Sequence, residues 1–350
     1  MRIRVQPFTV HKRFALTISR GTTAQSTNLW VTVIQDELEG WGEASPFAAD
    51  QQPQTSERIL ADLQRAMPLL EQFSPLDQQA IEQVLRKAEI GSAARAALDV
   101  AMHDWLGKRV GLPLWQLWGL DCSRIVPTSV TIGINTPEAA RARVRDWLDF
   151  AAPKTLKVKL GNPAGIEADR AMLLAIREEA PSQPISVDAN GGWSLADAVK
   201  MCDWLAEQQV TYVEQPLAKG QEADLSELNQ QSPLPLFVDE SCWTSHDIVR
   251  LADRVQGINI KLMKCGGLTE ARRMVHTAQA CGLQIMFGCY SDSSLANTAL
   301  AQLSPLADRL DLDSQLNLVD DPFAGATLQD GRVMPNDRPG LGVQRHAANA

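Results

Sequence analysis

The hydrophobic pattern divides the chain into two textures. Residues 2–10 and 28–35 read as strands, with Asp36-Glu-Leu-Glu-Gly40 as the turn after the second. Between them Ile18-Ser-Arg-Gly-Thr-Thr-Ala-Gln-Ser26 is polar and contains glycine, which predicts a mobile loop over about 15–27. Helical patterns follow at 54–73, 75–89 and 92–109. The last is rich in strong helix formers and repeats apolar residues at helical spacing. Strands followed by helices predict a small α+β domain over residues 1–120.

From about residue 126 short β-rich runs recur every 20–30 residues: 126–132, 155–160, 185–190, 212–216, 236–240, 257–262, 284–289 and 309–313. Most are separated by amphipathic helical patterns, such as Ala196–Glu207 and Leu268–Cys281. Eight strands with helical crossovers at this spacing predict a closed parallel β/α barrel over residues 121–320. An open doubly wound sheet is the alternative. It calls for a glycine-rich phosphate loop, and neither GxGxxG nor GxxxxGK[ST] occurs. The tail, 321–350, carries Gly325, Gly331, Pro335, Pro339 and Gly340; it reads as loop and is expected to pack on the N-terminal domain.

Composition narrows the function. At 350 residues, 45% hydrophobic and 21% charged, the chain has the make-up of a globular protein of one large or two cooperating domains. A net charge of −9 without a basic block argues against nucleic acid or an anionic membrane as partner. No apolar run reaches transmembrane length, and the first residues lack a signal-peptide core. Six scattered cysteines without a CxxC pair favour reduced thiols and a cytoplasmic location.

The candidate chemistry starts at Lys157 and Lys159, two apart in an apolar strand run and therefore on one face. Two like charges so placed cost stability unless an anion meets them. In β/α barrels catalysis sits where strands end, and here strand ends carry Lys157 and Lys159, Asp188-Ala-Asn190, Glu214-Gln-Pro216, Asp239-Glu-Ser241, Lys261 and Asp311-Leu-Asp313. Asp188, Glu214 and Asp239, from three successive strands, are hard oxygen ligands suited to Mg²⁺. No HxxxH or clustered Cys/His points to zinc. Lys159 is assigned as a base, with Lys157 as its pKa-lowering neighbour and a carboxylate contact. Lys261 is the acid/base on the opposite face. Such a pair suits removal of an α-proton from one side of a metal-bound carboxylate and its return from the other, through an enediolate-like intermediate. That is epimerisation or racemisation.

The set Lys157-Val-Lys159, Asp188-Ala-Asn190, Tyr212-Val-Glu-Gln-Pro216, Asp239-Glu-Ser241 and Asn259-Ile-Lys261 with Gly266-Gly267 resembles the muconate-lactonizing subgroup of the enolase superfamily. The segment Ala97–Lys108 is similar to that family's helix leading into the barrel. The resemblance spans nearly the whole chain. It implies a (β/α)7β barrel, a capping domain whose early loop closes over the site, and one Mg²⁺ per site, with Mn²⁺ as a substitute. Asp311-Leu-Asp313 followed by Asn317–Phe323 resembles the dipeptide epimerases of this superfamily, in which the Asp-x-Asp pair binds the free α-ammonium of a dipeptide. Arg20 resembles the arginine by which Ala-Glu epimerases meet the substrate's distal carboxylate. Thr131, Asn190 and Cys289-Tyr290-Ser291 match substrate-contacting positions. Tyr290 and Asp292 depart from the commoner Gly-Cys-Met-x-Glu-Ser pattern, which leaves the shape of the side-chain pocket open.

The leading expectation is therefore a Mg²⁺-dependent epimerase acting on L-Ala-D/L-Glu, with recycling of murein peptides and a homo-oligomeric state implied by the resemblance. o-Succinylbenzoate synthase and N-acylamino-acid racemase share the lysines and the metal ligands, but their substrates leave Asp311 and Asp313 unexplained. A non-catalytic peptide-binding barrel would not require two lysines about one carbon. Lys264 is passed over because Lys261 lies inside the apolar run. Glu240 reads as a wall or supporting residue, and His103 as structural. Cys289 as nucleophile lacks a paired histidine.

Overall fold

The structure is a computed structural model that describes residues 1–49 and 53–346. Its first sheet is an antiparallel meander of β1 (Arg2–Ile18), β2 (Gly21–Gln35) and β3 (Leu38–Ala44). The loop expected at 18–26 is instead the end of a long hairpin. After a register shift between His11 and Leu16 the ladder resumes and runs to Ile18↔Gly21, with Ser19 and Arg20 as its tip. In this half of the hairpin Phe14, Leu16 and Ile18 keep a partly buried alternating face, but the facing strand from Gly21 to Gln25 is exposed and polar, which reads as loop. Threonines suit an exposed strand, and Thr17 and Thr22 join hydroxyls across it at 2.8 Å.

Three helices follow, α1 (Ser56–Leu70), α2 (Gln78–Lys87) and α3 (Ser92–Val110). α3 is buried on nearly every side and lined with alanine. β3 crosses it so closely that a Cβ on Gly42 would lie 2.0 Å from the Ala97 carbonyl oxygen, and one on Gly40 equally close to that of Ala101. Small residues on both partners allow this approach, and it anchors the meander to the helix that leads into the barrel.

The barrel strands are β4 (Ser129–Ile132), β5 (Thr155–Lys159), β6 (Ile185–Asp188), β7 (Val210–Glu214), β8 (Leu236–Val238), β9 (Gly257–Ile260), β10 (Gln284–Gly288) and β11 (Arg309–Asp311). They pair in chain order, all parallel, and a bridge between Thr128 and Leu310 closes the ring. Seven helical crossovers connect them, making a (β/α)7β barrel. Several strands stop earlier than the apolar runs suggest. Asn190, Asp239, Lys261 and Asp313 all lie just beyond a ladder's last residue. There the backbone is free to turn its side chains inward over the mouth.

The tail returns to the first domain. Leu341 donates its N–H to Asp104 on α3, Gly340 donates its N–H to the Leu112 carbonyl and accepts from Leu114, and Phe323 meets Phe8 and Trp30 edge-on at 5.4 Å. The overpacking at Gly42 yields a direct prediction. Gly42→Ala is expected to cost about 3 kcal/mol, measured as a lower urea midpoint with an unchanged slope.

Candidate active site

Alternation along β5 sends Leu156 and Val158 outward and both Lys157 and Lys159 into the barrel, where they are buried. The Lys157 ammonium lies 2.6 Å from Asp311, 2.6 Å from Glu214 and 3.5 Å from Asp188. Burial works against its charge, yet those three carboxylates hold Lys157 well above the usual lysine range. The Lys159 ammonium is 2.6 Å from Asp188. On the far wall Lys261 donates to Asp239 at 2.7 Å and sits 4.5 Å over the Tyr290 ring. β5 and β9 are four places apart in a ring of eight strands, so Lys159 and Lys261 face each other across the mouth.

Asp188, Glu214 and Asp239 converge between them, with ligand oxygens all within 4.8 Å of one another. Each is fully buried. Burial, then the charge of Asp188, pushes the Glu214 carboxyl up to about 7 against the pull of Lys157. Burial also opposes ionisation of Asp239, but Lys261 and Lys264 hold it far below the ordinary carboxylate range. Three clustered carboxylates on adjacent strands fit a hard divalent cation that keeps further positions for substrate oxygens. Asn190, in the left-handed region at φ 46°, directs its amide to Asp188 (3.2 Å) and Glu240 (3.3 Å).

Beside Lys157 is the Asp311–Asp313 pair. Asp311 ends β11, whereas Asp313 lies beyond the strand and opens a 3-10 turn. Both nevertheless turn toward Thr131, whose N–H donates to Asp313 at 2.6 Å and whose hydroxyl lies 3.4 Å from Asp311. Asp311 is balanced by Lys157. Asp313, by contrast, is raised to about 6 by burial and by Asp311, which leaves it in want of a cation. Cys289 donates its thiol to the Asp311 carbonyl at 3.2 Å. Its pKa is raised well above the ordinary value by burial and the neighbouring carboxylates, which does not suit a nucleophile. Tyr290 stacks on Phe47 of the first domain at 4.6 Å, and Ser291 accepts a hydrogen bond from Asn28 through its carbonyl.

Arg20, at the hairpin tip, reaches over the mouth. It donates to the Asn190 carbonyl at 2.9 Å and to Glu240 at 2.7 Å. Glu240 is thus a buried wall residue, and His103 is held by the Asp99 carbonyl on α3. Arg20, Asn190, Glu240, Lys159, Lys261, Tyr290 and Ser291 all line one open cavity of about 620 Å³.

Two groups assigned no role from the sequence support the site. Lys264 is fully buried and donates to the Asp239 carboxylate and to the carbonyls of Cys242 and Asn259. Asn259 donates to Glu214 at 2.7 Å. The two-residue spacing of Asn259 and Lys261 is the signal that locates Asn259 on the inner face. Lys264 lies on a short helix (Leu262–Cys265) that strand periodicity does not reveal.

A closed β/α barrel with a carboxylate triad between opposed lysines defines a class of proton-transferring barrel enzymes. Residues 2–119 match the N-terminal domain of mandelate racemase/muconate lactonizing enzyme, and residues 139–348 match the enolase C-terminal domain-like family. The chain belongs to this family, within the enolase superfamily. A hydrophobic dipeptide epimerase from Roseobacter litoralis is 44% identical over 354 residues, covering 99% of this chain and 100% of its own. An L-Ala-D/L-Glu epimerase from Bacteroides thetaiotaomicron is 37% identical, covering 99% and 88%. The crystal structure of a dipeptide epimerase from Enterococcus faecalis, complexed with Mg and L-Leu-L-Tyr, superposes with a TM-score of 0.91 at 30% identity and covers 99% of both chains.

The triad predicts cation-linked stability. Mg²⁺ at one hundred times its dissociation constant is expected to add about 2.7 kcal/mol, read as a calorimetric Tm shift against EDTA, and Glu214→Gln is expected to abolish the shift.

Proposed function

We propose that this protein is a Mg²⁺-dependent dipeptide epimerase, an isomerase that inverts the α-carbon of the substrate's C-terminal residue by two-lysine proton transfer. The observation that carries the reading is the opposition of Lys159 and Lys261 across the carboxylate triad, with the Asp311–Asp313 pair alongside. The relatives named as dipeptide epimerases at 44% and 37% identity support it. Asp188, Glu214 and Asp239 would hold Mg²⁺, which would supply positive charge against the negative charge that builds on the substrate carboxylate as the α-proton leaves. Lys159 takes that proton on one face and Lys261 returns one on the other. Lys157 keeps its charge beside Lys159 and is placed to meet the substrate carboxylate. Asp311 and Asp313, with Thr131 fixing their orientation, receive the substrate's α-ammonium. o-Succinylbenzoate synthesis or racemisation of an N-acylated amino acid offers that pair no cation.

L-Ala-D/L-Glu is the substrate expected from Arg20, whose guanidinium fork suits a distal carboxylate. A second reading, a hydrophobic C-terminal residue, is favoured by the pairing of Arg20 with Glu240, since an acidic side chain must share the guanidinium with that carboxylate. The Roseobacter litoralis relative, a hydrophobic dipeptide epimerase, points the same way. A cytoplasmic homo-oligomer that recycles murein-derived dipeptides completes the reading, supported by the resemblance and the scattered cysteines. No helix among the described residues is long and apolar enough to cross a membrane.

Proton NMR of L-Ala-L-Glu and of L-Ala-L-Leu in D₂O with Mg²⁺ tests the reaction: the C-terminal α-proton signal should vanish as the diastereomer appears. Lys159→Ala and Lys261→Ala are each expected to lower epimerisation about 10³-fold while each leaves exchange of one epimer only. Full turnover by either variant rules the two-base assignment out. Arg20→Met should lower kcat/KM for L-Ala-L-Glu about tenfold relative to L-Ala-L-Leu; an unchanged ratio favours the hydrophobic reading.

A further inference from the structure

Next to the Asp311–Asp313 pair the site holds a cation that the reaction above does not use. Lys12, on β1, lines both the main cavity and a smaller one beside it, walled by Phe14, Leu16, Thr131, Asp311 and Asp313. Lys157, Lys159, Lys261 and Lys264 are each within ion-pair distance of a carboxylate. Among the described residues the Lys12 ammonium has no hydrogen bond or ion pair within 4.0 Å. Burial lowers its pKa, while Asp313, Cys289 and Asp292 act against that from a distance. Asp292 is engaged elsewhere, accepting from the Ser45 hydroxyl and the Tyr290 N–H. Arg143, on the outer wall of the smaller cavity, rests on the Phe14 ring at 3.9 Å and reaches Asp146 at 3.3 Å. The unmatched positive charge therefore belongs to Lys12.

The consequence follows from the charges around the substrate's first residue. Asp311 is already balanced by Lys157, so Asp313 alone faces both Lys12 and an incoming α-ammonium. A dipeptide with a neutral first side chain leaves this half-buried corner one charge positive, which is unfavourable. A carboxylate on the first side chain restores balance. We propose that Lys12 is a specificity residue selecting an acidic first residue, with its α-ammonium on Asp311 and Asp313 and its side-chain carboxylate on the Lys12 ammonium. The inference rests on the dipeptide-epimerase reading and adds to it the chemistry of the N-terminal position. It is independent of whether the C-terminal side chain is acidic or hydrophobic.

The test compares kcat/KM for L-Glu-L-Leu and its uncharged isostere L-Gln-L-Leu, with N-succinyl-L-leucine as a control that has the carboxylate but no ammonium. The holoenzyme with Mg²⁺ is expected to prefer L-Glu-L-Leu over L-Gln-L-Leu by about tenfold. Lys12→Met should bring that ratio close to one, and Lys12→Arg should keep much of it. A structural role for Lys12 would lower both rates together and leave the ratio alone. A ratio near one in the wild type, or an unchanged ratio in Lys12→Met, overturns the inference while the epimerase reading stands. Turnover of N-succinyl-L-leucine with none of the dipeptides overturns the epimerase reading, and this inference with it.

Discussion

Buried carboxylates and ammonium groups are packed together in the barrel mouth away from solvent, and the rest of the site depends on how they pair. Asp188, Glu214, Asp239 and Asp311 face Lys157, Lys159, Lys261 and Lys264, each lysine within ion-pair distance of at least one acid. None of these charges is tolerable alone in such surroundings. A divalent cation held by the triad would shift this balance toward positive charge, and an incoming carboxylate would offset part of that shift.

The first domain contributes more than a cover. Asn28 donates to Glu43 at 2.6 Å, and Glu43 accepts from the N–H groups of Ser293 and Ala296 at the start of the helix after β10. Ser45 pairs with Asp292 in the same loop. Burial and the neighbouring Asp292 push the Glu43 carboxyl up to about 8, so the two acids disfavour simultaneous ionisation. This polar clasp holds the loop bearing Cys289, Tyr290 and Ser291 against β2 and β3, and Phe47 completes the contact by stacking on Tyr290. The hairpin tip meets Asn190 and Glu240 on the other side of the mouth. One domain therefore shapes the cavity wall at two points while the barrel holds the reacting groups.

Much of this was legible in the residues themselves. Strand alternation forces Lys157 and Lys159 to one side, and the recurrence of β-rich runs dictates a barrel whose strand ends share one rim. Once those two rules operate, Asp188, Glu214, Asp239 and Lys261 have nowhere else to converge. What escaped was local and polar. The strand from Gly21 to Gln25 is exposed, so no buried stripe marks it as strand. Asp313 leaves its strand and still reaches Thr131, because the turn after β11 redirects it.

By itself the sequence determined the barrel, the carboxylate triad and the opposed lysines, because periodicity and strand order are properties of neighbouring residues along the chain. Which charge meets which was decided only by the tertiary structure. Lys157 turns to Asp311 across 154 positions of sequence, Arg20 turns to Glu240 across 220, and Lys12 is left without a partner among the described residues. Ion pairing depends on distance and on exclusion of water. Both are set by how the two domains close on each other, and no local pattern records that.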